Sequence, residues 1–267
     1  MGATQNGDAT QNGDSRYATA GWAGGAQPIL VVDRYAKSYG GRRAVDGVSL
    51  SVGAGSVFGF VGHNGAGKTT LIRSIVGALA FNEGDIRICG RSVRSNPVDC
   101  KRVVAYVPDN PDVYGFLTGS QYLNYVADLF GVGVQERRER IAHYAGRLGI
   151  DGRLGELVSA YSHGMRQKLV LVGAFLHDPR LLVLDEPFVG LDPEAAYELR
   201  TMMQEFVARG GAIFLSSHVL DTVEKLCDEV AIIRRGRIVR VGPTEEVRGD
   251  ESLEQVFLEL AREVRNG

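Results

Sequence analysis

The chain has 267 residues, 44% hydrophobic and 23% charged, enough for one large or two small domains to bury a core, which excludes a wholly disordered protein. A total of 30 Lys and Arg against 32 Asp and Glu gives a net charge of -2, which argues against affinity resting on neutralisation of a nucleic-acid backbone. Cys89, Cys100 and Cys227 are scattered and lack Cys-x-x-Cys spacing, so neither a disulfide framework nor a zinc site is indicated, and a reducing cytoplasm is the expected compartment.

Residues 1–27 contain a tandem hexapeptide, Ala3–Asp8 and Ala9–Asp14, followed by the Gly/Ala-rich Gly21–Ala26. The segment has too little apolar content to offset the entropy of ordering it, and it lacks the basic start and apolar middle of a secretory signal. A disordered tail is expected there, with one domain over 28–267. The longest run free of Asp, Glu, Lys and Arg, Gly47–Gly67, is rich in glycine and serine, so no segment is expected to span a membrane.

From Ile29 the texture changes to short β-branched runs separated by glycine: Ile29–Val32, Val48–Val52, Val57–Val61 and Asp85–Cys89 read as strands. After Gly67 the period becomes helical, with Leu71, Ile72, Ile75, Val76 and Leu79 on one face. Helical patterns such as Tyr122, Tyr125, Val126 and Leu129 dominate the next stretch, and a helical subdomain is expected over about 112–175, its charged Gln135–Arg140 face in solvent. Strand texture returns at Leu181–Leu184, at Ala212–Ser216 and in a hairpin, Val230–Ile233 and Ile238–Val241, turned at Arg234-Arg235-Gly236-Arg237. A parallel core with an edge hairpin is the simplest assembly.

Two elements carry chemistry. Gly62-His63-Asn64-Gly65-Ala66-Gly67-Lys68-Thr69 fits G-x-x-x-x-G-K-[ST] between an apolar strand and a periodic helix, the context that motif requires. Its glycines let successive N–H groups turn inward on a polyanion, and the helix dipole adds its positive end. Lys68 is expected to reach the β- and γ-phosphates of a nucleotide and the Thr69 hydroxyl to reach Mg2+. Leu181–Leu184 then delivers Asp185 and Glu186 at a strand's carboxyl end, the edge where open α/β sheets bind ligands. Asp185 is the expected magnesium partner, and Glu186 is free to polarise the attacking water. Taken alone, such an acidic pair is equally compatible with a helix cap.

With these residues in view, the chain from about Ile29 onward resembles the nucleotide-binding subunit of an ATP-binding cassette (ABC) transporter. Tyr161-Ser162-His163-Gly164-Met165 resembles the family signature in the Tyr-Ser-x-Gly-Met form found in many export-type cassettes. Gly190-Leu191-Asp192-Pro193 resembles its D-loop, and Ser217-His218 its switch histidine. The resemblance implies an α/β fold: a P-loop NTPase core with a mainly parallel sheet, an N-terminal antiparallel β part, an inserted helical subdomain and a short C-terminal helix at about 251–264. It implies that Tyr39 stacks on adenine with Val45 packing nearby, although a tyrosine there is also common as core. The nucleotide would be held by Gly62, His63, Asn64, Gly65, Ala66, Gly67, Lys68, Thr69 and Thr70, and Ser162 and Gly164 would contact phosphate.

The sequence departs from the family at Ala105-Tyr106-Val107-Pro108-Asp109, where Asp109 stands in place of the Q-loop glutamine. A carboxylate there can still reach Mg2+ or its water, and it is also an ordinary turn residue before Asn110-Pro111. The resemblance further implies ATP and Mg2+ as cofactors, with Glu186, His218 and Lys68 catalytic and Thr69, Asp185 and Asp109 at the metal. It implies two cassettes clasped head to tail and a separate transmembrane permease docked near the Asp109 loop and the helical subdomain, holding the subunit on the inner face of the membrane. A soluble ATPase of the same type, in cluster assembly, repair or translation, is the alternative; neither long coiled-coil insertions nor a second cassette, which mark the last two of those, appears between Lys68 and Asp185. A non-hydrolysing regulatory cassette is opposed by Lys68, Glu186 and His218.

Overall fold

Two sheets organise residues 27–263, the part of the chain that the computed structural model describes. The tail expected over 1–27 lies outside the described residues but for Gln27. β1 (Leu30–Tyr39) and β2 (Arg42–Val52) form an antiparallel pair in the register Leu30 to Val52, turned at Gly40-Gly41. β3 (Val57–Val61) crosses to the second sheet and feeds α1 (Lys68–Ile75). β4 (Glu83–Ile88) returns to the other side of β1 and carries the short β5 (Arg91–Ser92) at its outer edge, so the first sheet has the order β2-β1-β4-β5. α2 (Pro97–Arg102) leads into β6 (Val104–Val107).

Between β6 and the next strand the chain folds into α3 (Gly119–Leu129), α4 (Val134–Arg147) and α5 (His163–Leu176). Then follow β7 (Leu181–Asp185), α6 (Pro193–Ala208), β8 (Ala212–Ser217) and α7 (Leu220–Leu226). The hairpin β9 (Glu229–Arg234) and β10 (Arg237–Pro243), then α8 (Thr244–Arg248) and α9 (Leu253–Glu263), complete the described chain. Arg235 and Gly236 both have positive φ (47° and 82°), as a two-residue hairpin that follows the strands' twist demands.

The second sheet runs β10-β9-β3-β8-β7-β6, parallel except at the β10 edge. Its inner strands are buried on both faces, and successive residues go to opposite cores. Val57 and Val61 of β3, Leu182 and Leu184 of β7, and Ile213 and Leu215 of β8 face α3–α7 and α9. Phe58, Phe60, Leu181, Val183, Ala212 and Phe214 face α1 and the antiparallel sheet. Truncating one of the leucine, isoleucine or phenylalanine side chains among them to alanine costs about 2–5 kcal/mol.

The mainly parallel sheet with its edge hairpin and the separate antiparallel sheet agree with the sequence reading, but the extents differ. β1 and β2 run far past the apolar tips that marked them, because β1's outer half mixes buried Tyr35 and Ala36 with exposed Arg34 and irregular pairing, and β2's begins with exposed Arg42 and Arg43. α1 stops before Leu79, with Gly77 in the left-handed region (φ 69°) just beyond its end. β6 was not foreseen as a strand.

Candidate functional site

The strand order determines what meets at the site. β3, β8, β7 and β6 are parallel neighbours, so their carboxyl ends form one row. The phosphate loop leaves β3, Ser217-His218 ends β8, Asp185-Glu186 ends β7, and Pro108-Asp109 follows β6. Four segments far apart in sequence thereby converge on a single edge. A cleft of about 670 Å³ opens there. Gly62, His63, Asn64, Asp109, Glu186, Ser217 and His218 form its polar side, and Val189, Leu220 and Phe257 its apolar side.

The loop is shaped by close backbone approach. A Cβ on Gly62 would lie 2.5 Å from the Ile233 carbonyl oxygen, and one on Gly67 would lie 2.8 Å from Val45 Cγ2 and 2.9 Å from the Ala44 oxygen. Gly67 also caps α1 at φ 112°, open to glycine and strained for other residues. The β9–β10 turn braces the loop from the side: Gly236 N–H donates to the Ala66 carbonyl at 3.0 Å. Lys68 is buried, and its Nζ donates to the carbonyls of Gly62 at 2.5 Å and His63 at 3.5 Å. Thr69 is exposed on the first turn of α1 and Thr70 half-buried behind it.

Burial pulls the Lys68 ammonium below the usual lysine range, against the nearby charges of Glu186 and Asp185, which favour protonation. Burial also pushes the Asp185 carboxyl up, opposed by the nearby Ser216 hydroxyl and by Lys68, while the charges of Asp109 and Glu186 add to it. Asp185 Oδ2 and the Ser216 hydroxyl are buried without a hydrogen-bond partner in the protein. Such groups cost about 1–3 kcal/mol unless something satisfies them.

Glu186 is held in a strained and specific pose. Its φ of 51° is left-handed for a non-glycine residue, a cost of about 1–2 kcal/mol. Its N–H donates to the Ser216 carbonyl at 2.9 Å, the Ser217 hydroxyl donates to its Oε2 at 3.1 Å, and His218 Nδ1 lies 2.8 Å from its Oε1. Ser217 in turn accepts from the Val219 N–H at 3.1 Å. The carboxylate is therefore aimed by two side chains from the neighbouring strand end. Sequence reasoning quoted Ser217 only as a neighbour of His218; its adjacency to Glu186 follows from the pairing of β7 with β8, which no local pattern reveals.

Other residues singled out in the sequence lie elsewhere. Ser162 caps α5, its hydroxyl accepting from the Met165 N–H at 3.2 Å, and it is exposed. Gly164 packs on the chain's own D-loop, where an added Cβ would lie 2.3 Å from the Gly190 oxygen. Lys168 Nζ binds Asp192 at 2.6 Å across the same junction. Neither Ser162 nor Gly164 lines the cleft. Tyr39 is half exposed at the β1–β2 tip, with Lys37 Nζ 5.0 Å from its ring centre, and is not part of the cleft wall. Val45 is fully buried beneath Gly67 and shapes the loop from below.

Comparison with known proteins agrees with this geometry. Residues 45–189 match the ABC transporter family. The ATP-binding protein YhcH of Bacillus subtilis (strain 168) is 36% identical over 84% of this chain and 73% of its own length. EcsA of the same organism is 31% identical over 88% of this chain and 97% of its own. The Nod factor export ATP-binding protein I of Ralstonia nicotianae is 33% identical over 84% and 70%. Among solved structures, an ATP-binding subunit of an ABC transporter superimposes with a TM-score of 0.84 at 33% identity, over 87% of this chain and 99% of that one. The cleft, the strand order and these likenesses together identify the chain as a member of the ABC transporter family, an ATP-binding subunit with the P-loop fold and ATPase activity of that family.

Proposed function

We propose that this chain binds ATP with Mg2+ in the cleft at the strand ends, hydrolyses it between two copies, and thereby energises a separate membrane permease working in the export direction. The observation that carries this reading is the convergence of the phosphate loop, Asp109, Glu186 and His218 on one cleft, with Asp185 buried behind it. Loop N–H groups and Lys68 receive the phosphates. Glu186 accepts a proton from the attacking water while His218, donating from Nδ1 to Glu186, holds the carboxylate in place.

The residues present fit a magnesium ion. Asp185 Oδ2 is a buried carboxylate oxygen with no protein partner, and Thr69 supplies a hydroxyl from the exposed first turn of α1. Among the described residues no three His, Cys, Asp or Glu side chains make a ready cage, the usual situation where Mg2+ is held by one or two protein oxygens plus phosphate and water. Thr69 and Asp185 would hold it directly and Asp109 directly or through water; bound there, it neutralises charge across the phosphates. Its positive charge would also relieve the crowding of Asp185, Asp109 and Glu186.

Ser162 and Gly164 do not line the nucleotide cleft of their own chain, which favours a head-to-tail pair in which each signature closes the partner's nucleotide. No helix among the described residues is long and apolar enough to cross a membrane, and in this reading the substrate path lies in the separate permease. A groove of about 390 Å³ beside β6, lined by Tyr106, Tyr122, Val126 and Phe130, and the exposed Tyr114, Phe116 and Leu129 nearby, suit an apolar docking segment of that permease. A solved relative, cbiO1 of Clostridium perfringens (TM-score 0.73, 26% identity, 89% of this chain and 97% of that one), is part of the ABC transporter complex cbiONQ. The signature variant and the Nod factor export relative favour export. The test is purification from native membranes: the chain should carry a polytopic membrane protein that changes its ATP turnover when reconstituted. A chain that leaves membranes freely and turns over ATP at the same rate with and without every membrane fraction overturns the transport reading.

A further inference from the structure

One wall of the cleft comes from outside the nucleotide motifs. Phe257, on α9, stands opposite the outer turn of the phosphate loop, its ring 4.5 Å from the His63 ring, centroid to centroid, at 51°. α9 is firmly seated. Leu253 and Val256 are buried in the larger core and Phe257 and Leu260 pack against it, the stripe of an amphipathic helix. Ser252 and Gln255 cap its start reciprocally, with bonds of 3.0 and 3.3 Å, and Leu253 N–H donates to the Glu224 carboxylate at 2.9 Å. Near the other end the Arg234 guanidinium donates to the Leu260 carbonyl. Arg234 directly follows Ile233, the residue packed under Gly62, so one strand end supports both the loop and the helix.

The loop itself is divided in two. Gly62, Ala66, Gly67 and Lys68 are buried, whereas His63, Asn64 and Gly65 are exposed, and Gly65 has open space around it at φ 77°. The His63 carbonyl is nonetheless the pivot of this outer turn, accepting from Ala66 N–H at 3.0 Å and from Lys68 Nζ at 3.5 Å. Holding the His63 ring holds that carbonyl, and with it the turn whose N–H groups must face phosphate.

We propose that Phe257 is a positioning residue of the ATP site, clamping His63 so that the outer turn of the phosphate loop is ordered before nucleotide arrives. This rests on the reading of the cleft as the ATP site. A loop already in its binding conformation loses less freedom on binding, so the clamp acts on affinity and leaves the chemical step alone.

The experiment is an equilibrium ATP titration, with KM and kcat, on the full chain and on Phe257→Ala, Phe257→Leu, His63→Ala and the Phe257→Ala/His63→Ala double variant. Leu258→Ala, exposed on the same helix, is the control, and Lys68→Ala tests the ATP site itself. Phe257→Ala should raise Kd and KM about three- to tenfold, the scale of one aromatic contact, with kcat within about twofold. Phe257→Leu, which keeps apolar packing on α9, should shift Kd the same way, the double variant should bind no worse than the weaker single, and Leu258→Ala should match wild type. Additive effects in the double variant, or wild-type Kd in Phe257→Leu and Phe257→Ala, overturn the clamp. Should Phe257→Ala melt early, Phe257→Leu alone decides. Wild-type ATP affinity in Lys68→Ala overturns the ATP site and the clamp together, whereas lost binding there beside unaffected Phe257 and His63 variants overturns only the clamp.

Discussion

Two helix N-termini of the chain are proposed to meet phosphate, and they are built in opposite ways. α1 begins at Gly67, which has no side chain to cap it, behind a loop pinned by Ile233, Val45 and the β9–β10 turn and beside a buried lysine. α5 begins at Ser162, which spends its hydroxyl on its own Met165 N–H, stands in solvent and lines no part of the cleft. The first is a cradle finished within one chain; the second is a rigid tip tied to the D-loop through Gly164–Gly190 and Lys168–Asp192. On the proposed reading, the contrast divides hydrolysis and coupling between two surfaces, the second of which needs a facing copy to act.

The largest expected effect lies on the cradle side. Glu186→Gln preserves size and the Ser217 contact but cannot take a proton, so turnover should fall about 10²- to 10⁴-fold while ATP affinity stays near wild type. Rapid-quench hydrolysis beside equilibrium titration checks both halves. Turnover near wild type would move the base elsewhere.

The next effect separates the signature side by stability. His177, which caps the far end of α5, stacks on Phe130 at 3.6 Å, and burial pulls its imidazole down to about 4, partly opposed by its bond to the Val104 carbonyl. The unfolded chain therefore takes up a proton near pH 6.5 that the folded chain refuses until about pH 4. Stability gains nothing from this group above pH 6.5 and should fall by up to about 3 kcal/mol as pH drops from 6.5 to 4. Denaturant melts of wild type and His177→Phe across that window check it: the variant should lose less on acidification.

Gly164→Ala tests the rigid tip. The methyl would lie 2.3 Å from the Gly190 oxygen, so α5 and the D-loop must separate. Turnover should fall roughly tenfold, the scale of a modest overpacking, with ATP affinity of the isolated chain unchanged. Equal losses in affinity and turnover would erase the distinction between the two ends. The smallest effect belongs to Asp109→Asn, exposed at the cleft: the Mg2+ dependence of turnover should shift by about twofold, and superimposable curves would return Asp109 to its turn.

Much of the cradle is legible in the sequence because its determinants are contiguous. Eight consecutive residues from Gly62 to Thr69 and four apolar residues before Asp185 state both the backbone and the chemistry. The strand β6 escaped notice because Val104–Val107 is only four residues long, directly after a charged helix end, with no alternation to mark it. The outer halves of β1 and β2 were hidden for the opposite reason, their charged residues masking the strand period. Val45 shows what packing adds to a pattern: its burial beneath Gly67, which sequence spacing does not reveal, makes it a support of the loop. Ser217 and Phe257 were invisible as site residues because their partners, Glu186 and His63, are brought to them only by strand order and by the docking of α9.

The central claim, that the exposed signature tip of one copy completes the cradle of another, is tested most directly by the mass of Glu186→Gln in solution. Light scattering should show a monomer without nucleotide and a doubled mass with ATP and Mg2+, and adding Ser162→Arg to the same chain should abolish the doubling while ATP still binds. A mass that stays single with saturating ATP, or a dimer indifferent to both ATP and Ser162→Arg, would contradict the claim.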